Sequence, residues 1–586
     1  MNGRAKLYYE FESFRLDPAE RLLLRDGHPV SLTPKAFDTL VLLVQNSGHL
    51  LEKDELLKSI WPDTFVEEAN LANNISLLRR LLGQGAGGQQ YIETQPKRGY
   101  RFVAAVKEVR DDASKPDGDG IPAGETAEAN AVRTIAVLPF RSLRQEESDE
   151  YMELGITDVL ITRLSNINEI VVRPTSAVRK YAAMEQDPVA AGRELQVGAV
   201  LEGSIRKLGD RYRITVQLVN VRDGISLWAD KFDQKCADIF DVEDSISEQV
   251  AKALTLKLSG AQKRVLAKRY TGSTEAYHSY LKGRYHWNKW NKEGFRKAIE
   301  HFQQSIEHDP VYALAYTGLA DAYGLLGLNG LLSPKEAMPR AEAAAVKALE
   351  IDEGLAEAHV PFACVRCWYH WDFAGAEQEF KRAIELNSNY AIAHQAYALY
   401  LTAMGRQAEA QCEIQVAQRI DPLSLALNAI EGFILYNAGE YDRAIEQSVK
   451  TIELDPNFHT AYERLGDSYL QKGMLAEAIA AFEKALALSG RSLFTLAELG
   501  SAYARSGRRE ETESVLDELK ERFNKAYVSA WIYAGLGEND SAFEWLEKAY
   551  EERDSSIVFL KVDPKLASLR SDRRFPDLLR RVNLAS

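Results

Sequence analysis

The chain has 586 residues, of which 46% are hydrophobic and 27% charged, and its formal net charge is −14. That length exceeds what one hydrophobic core supports, so several folding units are expected, mixed α+β first and all-α after. No run approaches the roughly 20 consecutive apolar residues of a membrane span, the opening Met1-Asn2-Gly3-Arg4 lacks the apolar segment of a secretory signal, and the overall acidity argues against indiscriminate nucleic-acid binding. The expectation is a cytoplasmic protein whose charge must be read domain by domain.

Between Tyr8 and Leu32, short β-rich runs are punctuated by Asp17-Pro18, Asp26-Gly27 and His28-Pro29, the pattern of a small antiparallel sheet. Thr33-Pro34 then offers an N-cap followed by proline at the first helical position, and Phe37, Leu40, Val41 and Val44 keep helical period until Gly48. A second helix is expected over 53–61, with Leu56, Leu57 and Ile60 inward, and a third over 68–82. On the third, Leu71, Ile75, Leu78 and Leu82 form one apolar stripe, which turns Asn73, Ser76, Leu77 and Arg80 away from the core and leaves Asn74 and Arg79 flanking it. Asparagine can pair bidentately with adenine and arginine with guanine or phosphate, and an α-helix fits the major groove of B-DNA. Tyr91 to Thr94 and Tyr100 to Val103 form a hairpin whose tip is Gln95-Pro96-Lys97-Arg98-Gly99. From 70 to 105 the bases are Arg79, Arg80, Lys97, Arg98 and Arg101 and the acid is Glu93, a local net of +4 inside an acidic chain. Phosphate attraction needs such a patch. A helix with two arginines is by itself more often a solvated face, but here helix and basic wing occur together.

The runs Leu32-Thr33-Pro34-Lys35-Ala36-Phe37, Asn74-Ile75-Ser76-Leu77-Leu78-Arg79-Arg80 and Arg98-Gly99-Tyr100-Arg101-Phe102, set in a four-stranded sheet, three helices and a hairpin over 7–105, resemble the OmpR/PhoB-type winged-helix domain. The resemblance implies that the third helix enters the major groove and that the wing contacts backbone in the neighbouring minor groove. It also implies that Arg79, Arg80 and Thr94 occupy DNA-contacting positions. Leu77 stands where an arginine is common in the family. A homodimer on tandem half-sites is implied by the same likeness. The domain begins at residue 7 and nothing like a receiver follows, an order similar to one-component regulators of the CadC, ToxR and HilA types, with the HilA-like layout closest. The expected function is sequence-specific binding of double-stranded DNA in transcriptional regulation. The alternative is a scaffold whose winged helix docks protein.

A flexible acidic linker is expected over 106–132, because Asp111 to Asn130 is rich in Asp, Glu, Gly, Ala and Pro. In 133–262, Thr134 to Phe140 reads as a buried strand, Ile156, Val159, Leu160, Leu164 and Ile167 as a helical stripe, and 169–173 as a second strand. Tyr212, Ile214, Val216 and Leu218 alternate with polar residues, Asp223-Gly224 turns into a strand over 225–232, and Ile246, Val250 and Leu254 continue as a helix. The runs Ile135-Ala136-Val137-Leu138-Pro139-Phe140, Leu201-Glu202-Gly203-Ser204 and Leu227-Trp228-Ala229-Asp230-Lys231-Phe232-Asp233 resemble a TolB-like domain. There is no phosphate-binding Gly-Lys loop, no paired metal aspartates and no Ser-His-Asp order, so neither enzymatic activity nor a cofactor is expected. A structural adaptor and a small-molecule sensor both stay open.

Gly405, Gly439, Gly473 and Gly507 recur every 34 residues, and Asp309-Pro310, Asp421-Pro422 and Asp455-Pro456 stop helices in a common phase. In the clearest unit, Tyr462, Leu465, Gly466 and Tyr469 fall on a first helix (A) and Ala478, Phe482 and Ala485 on a second (B). This resembles the tetratricopeptide repeat, with roughly eight units over 276–554 and a C-terminal cap over 555–586. The likeness implies a groove built from the A helices, with Val365, Trp368, Gln395, Leu399, Phe433, Tyr436, Glu463 and Asp467 facing a protein partner. A spacer or dimerising scaffold is the bland reading. Cys364-Val365-Arg366-Cys367 has the spacing of half a zinc site but lacks a second pair, so no metal is expected and the thiols read as structural.

Overall fold

A computed structural model describes residues 6–18, 22–25, 28–29, 34–60, 68–82, 90–95, 98–104, 106–111, 133–142, 150–167, 169–182, 187–208, 211–235, 239–254, 268–289, 291–522 and 526–585. The chain divides into two compact units, Met1–Gly124 with Val449–Phe458, and Glu125–Ser448 with His459–Ser586.

The first unit contains β1 (Lys6–Phe11), β2 (Phe14–Asp17), β3 (Leu22–Arg25), β4 (His28–Pro29), α1 (Pro34–Gln45), β5 (Leu50–Glu52), α2 (Lys53–Ile60), α3 (Glu68–Leu82), β6 (Ile92–Gln95), β7 (Gly99–Phe102) and β8 (Lys107–Asp111). One sheet has the order β4-β3-β2-β1-β8 and a second the order β5-β7-β6. The N-terminal sheet thus has five strands, not the four expected. The residues assigned to the start of a linker are the fifth, pairing antiparallel with β1 through Tyr8↔Val109 and its neighbours. Lys107-Glu108-Val109-Arg110-Asp111 has too little apolar patterning to read as a strand. Backbone pairing to the open edge of β1 orders it, and that demands no particular side chain. The rest of the expected linker, 112–132, lies outside the described residues. The core joins the apolar stripes of the three helices to an aromatic cluster in which Phe11 stacks on Phe14 at 5.4 Å and meets Phe102 edge-on at 5.1 Å.

In the second unit, β9 (Thr134–Val137), β10 (Arg141–Ser142), α4 (Glu150–Ser165), β11 (Val171–Val172), α5 (Thr175–Val178), α6 (Pro188–Glu194), β12 (Ala199–Leu208), β13 (Arg211–Asn220), β14 (Ser226–Lys235) and α7 (Ile239–Ala253) make a mixed sheet with helices. Its order is β11-β9-β12-β13-β14, with β10 also on β12. The α4 crossover makes β9 and β11 parallel, whereas β12, β13 and β14 form an antiparallel meander. Tyr212, Ile214, Val216 and Leu218 are all buried, as strict alternation requires.

Eight helix pairs follow among the described residues, from Thr274–Trp287 with Lys292–His308 to Ala526–Leu536 with Asn539–Glu552. The recurrent glycines take the left-handed conformation after each A helix, with φ of 77°, 76°, 75° and 76° at Gly405, Gly439, Gly473 and Gly507. A side chain at these positions would be strained, which is why the 34-residue period is written in glycine. The third A helix, Ala356–Val365, continues as a wider turn through Arg366–His370, and the Cys364 and Cys367 thiols on it are free.

The mixed domain and the array share a buried polar seam. Arg173, 4% exposed, donates from Nε to the Leu195 carbonyl at 2.9 Å and from Nη2 to that of Gln196 at 2.8 Å. Its Nη1 reaches the Arg419 and Ile420 carbonyls at 2.9 and 2.8 Å. These last two close the C-terminus of the helix Gln407–Ile420, where carbonyls lack intrahelical partners and a cation is favoured. Asn389 Nδ2 donates to Ile170 O at 3.0 Å, and Arg284 Nε meets Asp158 Oδ2 at 2.9 Å. The apolar core runs without a break from Ile135 through Leu281 to Leu355.

Candidate nucleic-acid interface

In α3, Leu71, Ile75, Leu78 and Leu82 are buried against α1 and the sheets. Ala72 and Ser76, one turn apart on the opposite side, are exposed, and Leu77 is half-buried. The side chains of Asn73 and Arg80, and Lys97 altogether, lie outside the described residues.

Asn74 is not on the outer face. It is 0% exposed, and its Nδ2 points to Thr39 Oγ1 at 3.4 Å, while that hydroxyl donates to Lys35 O at 2.7 Å. Position 74 flanks the stripe of 71, 75 and 78, and the side chain turns inward where the Thr39 hydroxyl of α1 meets it. Asn74, expected at the interface, therefore presents no edge to a base.

Arg79 is half-buried and committed to the wing. Its Nε and Nη2 donate to Ile92 O at 3.0 and 2.9 Å, and Nη2 also donates to Thr94 Oγ1 at 2.6 Å. The guanidinium thus fastens the last turns of α3 to β6. Sequence reasoning placed Arg79 and Thr94 at the interface separately but missed that they bind each other. Thr94 and Arg98 are exposed. Arg98 sits on the β6–β7 turn, closed by its own N–H donating to Gln95 O at 3.0 Å. The turn is held close to β5 by Gly99, where a Cβ would lie 1.9 Å from Leu51 O, so no other residue fits. Behind it, Tyr91 donates its hydroxyl to Glu12. Burial, and then the Glu12 carboxylate, push the Tyr91 pKa up to about 12. The arrangement presents a bare helix face beside a rigid basic turn, with no nucleophile or acid–base pair among the residues named.

The A-helix face of the array departs from expectation. Val365, Trp368, Tyr436, Glu463 and Asp467 are buried, and Gln395, Leu399 and Phe433 are half-buried. The expectation of a face open to a partner is corrected, because residues 554–585 cover much of it. Phe559 packs edge-on to Phe433 at 5.2 Å, Lys565 Nζ lies 2.5 Å from Asp467 Oδ1, and Asp563 Oδ2 accepts from Trp531 Nε1 at 2.7 Å. Nothing in the residues after 555 signals this, since their polar groups find partners distant in sequence.

Residues 27–102 match the family described as transcriptional regulatory protein, C terminal, residues 131–249 the HilA/YgeH-like transcriptional regulator second domain, and residues 432–492 the tetratricopeptide repeat. The first domain is an OmpR/PhoB-type winged helix. Behind this winged-helix domain stand a HilA/YgeH-like regulator domain and a tetratricopeptide array, so the domains are those of a transcription regulator. The chain is 23% identical to transcriptional regulator HilA of Salmonella typhimurium over 75% of each chain. It is 34% identical to transcriptional activator CadC of Escherichia coli over 15% of this chain and 18% of that one. A putative adenylate cyclase 3 of Rhizobium meliloti is 31% identical, and the match spans 32% of its length and of this chain. Among the described residues no helix is long and apolar enough to cross a membrane.

Proposed function

We propose that this protein binds double-stranded DNA sequence-specifically through its winged-helix domain and regulates transcription from the cytoplasm, with the array as its site for a protein partner. The observation that carries the reading is the Arg79 clamp. It locks α3 to the wing, leaving Ala72 and Ser76 exposed and Leu77 half-buried on the helix, with Thr94 and Arg98 exposed on the wing. A helix so held can lie in the major groove while the turn meets phosphate. Asn73 and Arg80, by helical phase, belong to the same face, and Lys97 to the wing tip. In this assignment Arg79 is a positioning residue, and base discrimination comes from Asn73, Ser76, Leu77 and Arg80. The relatives named as transcriptional regulator and activator support the same reading, and pairing of two copies on tandem half-sites fits the family likeness.

Selection of random duplexes by the full chain tests it. One enriched motif is expected. A folded protein that enriches none, with weak duplex affinity at every salt concentration, would favour a winged helix that docks protein. Partner recruitment is read separately: a chain ending at Gly124 should keep duplex affinity within a few-fold and lose regulated transcription from the selected site.

A further inference from the structure

The A-helix face carries three carboxylates in one buried place. Asp467 and Glu498 are 0% exposed and Glu463 5%. The array itself supplies one cation to them: Arg464, with Nη1 2.8 Å from Asp467 and Nη2 3.0 Å from Glu498. The second cation is Lys565, from the segment that follows the last repeat. Its ammonium is 2.5 Å from Asp467 and lies over the rings of Trp531, at 4.3 Å, and Tyr436, at 5.2 Å. Two residues earlier, the Asp563 carboxylate takes hydrogen bonds from Trp531 Nε1 at 2.7 Å and the Tyr527 hydroxyl at 3.1 Å. A carboxylate cup walled by aromatic rings, with an adjacent pair of donors, is the chemistry that receives a lysine and an aspartate spaced two apart.

The segment lies across several A helices in short turns, and Ile557, Val558, Leu560, Leu566 and Leu569 are buried in one apolar cluster with the array. Ser555 donates to Leu328 O, Asn583 to Trp371 O, and Phe559 meets Phe433. It contributes no helix pair of its own; its structure is two 3₁₀ turns, Ser555–Phe559 and Pro564–Leu569, and the helix Arg574–Arg581. Removing it would take the lysine from Asp467 and leave Arg464 to face Asp467 and Glu463, with burial already raising the Glu498 pKa well above its ordinary value, so the vacated face selects for an incoming cation.

We propose that residues 554–585 are a built-in ligand of the array, and that the protein partner displaces them by presenting its own Asp-x-Lys segment to the cup formed by Glu463, Asp467 and Glu498. This rests on the reading of the array as the partner-binding module. It adds that the module is closed at rest and that the partner's contact segment is basic at one defined position.

The test uses the full chain, its K565E variant and a fluorescent peptide of residues 554–572. K565E sets a fourth carboxylate against the cup and should loosen the segment. The expected result is saturable peptide binding by K565E at least tenfold stronger than by the unaltered chain. The same peptide carrying K565E should bind neither. Amide exchange over 555–569 should rise at least tenfold while 373–403 stays protected. Equal binding to both chains, or no binding to a folded K565E whose segment exchanges freely, overturns the proposal. Should K565E fail to fold, K565M, which keeps the apolar stem, is read the same way. Collapse of both variants would make the segment an inseparable part of the core and also overturn it. None of these outcomes bears on the transcription readout of the chain ending at Gly124, so loss of partner recruitment and loss of the built-in ligand are told apart.

Discussion

Asn74 and Ser76 sit two residues apart on α3 and belong to opposite sides of the domain. Because Asn74 is buried against Thr39, Asn74→Ala should lower the domain's stability by about 1–3 kcal/mol and leave base preference unchanged, as read by denaturant titration beside duplex selection. Substituting Ser76 should instead alter preference at a single base position. Arg98, exposed on the wing turn, contributes charge without base information. Arg98→Ala should weaken all duplexes alike and reduce the slope of log K against log salt by about 1. The apolar stripe of α3 was legible from its period, whereas Asn74 flanks that stripe and is turned inward by Thr39 of α1, which the period of α3 does not encode. The Arg79–Thr94 bond joins residues on two elements whose approach no local pattern encodes.

Elements with a strong period were the most legible. The 34-residue glycine spacing marked every turn it names, and the alternation from Tyr212 to Leu218 marked β13. The strand β8 was missed because edge pairing is satisfied by backbone alone. The seam between α4, α7 and the first repeat was also invisible, since it is built from polar side chains that each look solvated. There Glu243, 1% exposed, accepts from the Tyr277 hydroxyl, and its Oε2 lies 3.5 Å from Arg163 Nη2, with Asp244 and Arg269 close by. Burial raises the Glu243 pKa to about 7, against the opposing pull of Arg163. The folded carboxyl therefore holds its proton to a higher pH than the unfolded one, whose value is near 4.5. The folded state binds more protons between these values, and stability falls as pH rises through that window, by an amount on the order of 3 kcal/mol. Glu243→Gln should flatten this dependence in thermal melts between pH 5 and 7.5. An unchanged slope would assign the dependence to other groups. Arg173→Ala, which strands two carbonyls in its own domain and two across the seam, should cost roughly 2–4 kcal/mol, seen as a lowered unfolding midpoint.

For the molecule as a whole, the shared core from Ile135 to Leu355 makes the regulator domain and the array one folding unit. A chain cut near residue 262 would bare the faces of α4 and α7 that pack on the first repeat and should aggregate, whereas a cut at Gly124 severs no part of that core. The order of mixed α+β and then all-α was readable from hydrophobic period, and the winged helix and the repeats from the likeness of their motifs to known families. The covering of the A-helix face by residues 554–585 was not, because it depends on contacts between residues from 32 to 227 positions apart. In the proposed assignment α3 reads DNA while the wing holds phosphate, and titration of the full chain against a selected duplex and a scrambled one across a salt series separates the two roles. Affinity for both duplexes should fall steeply with salt, while the ratio between them stays large and collapses on substitution of Ser76 but not of Arg98. Equal affinity for the two duplexes, or binding indifferent to salt, would contradict it.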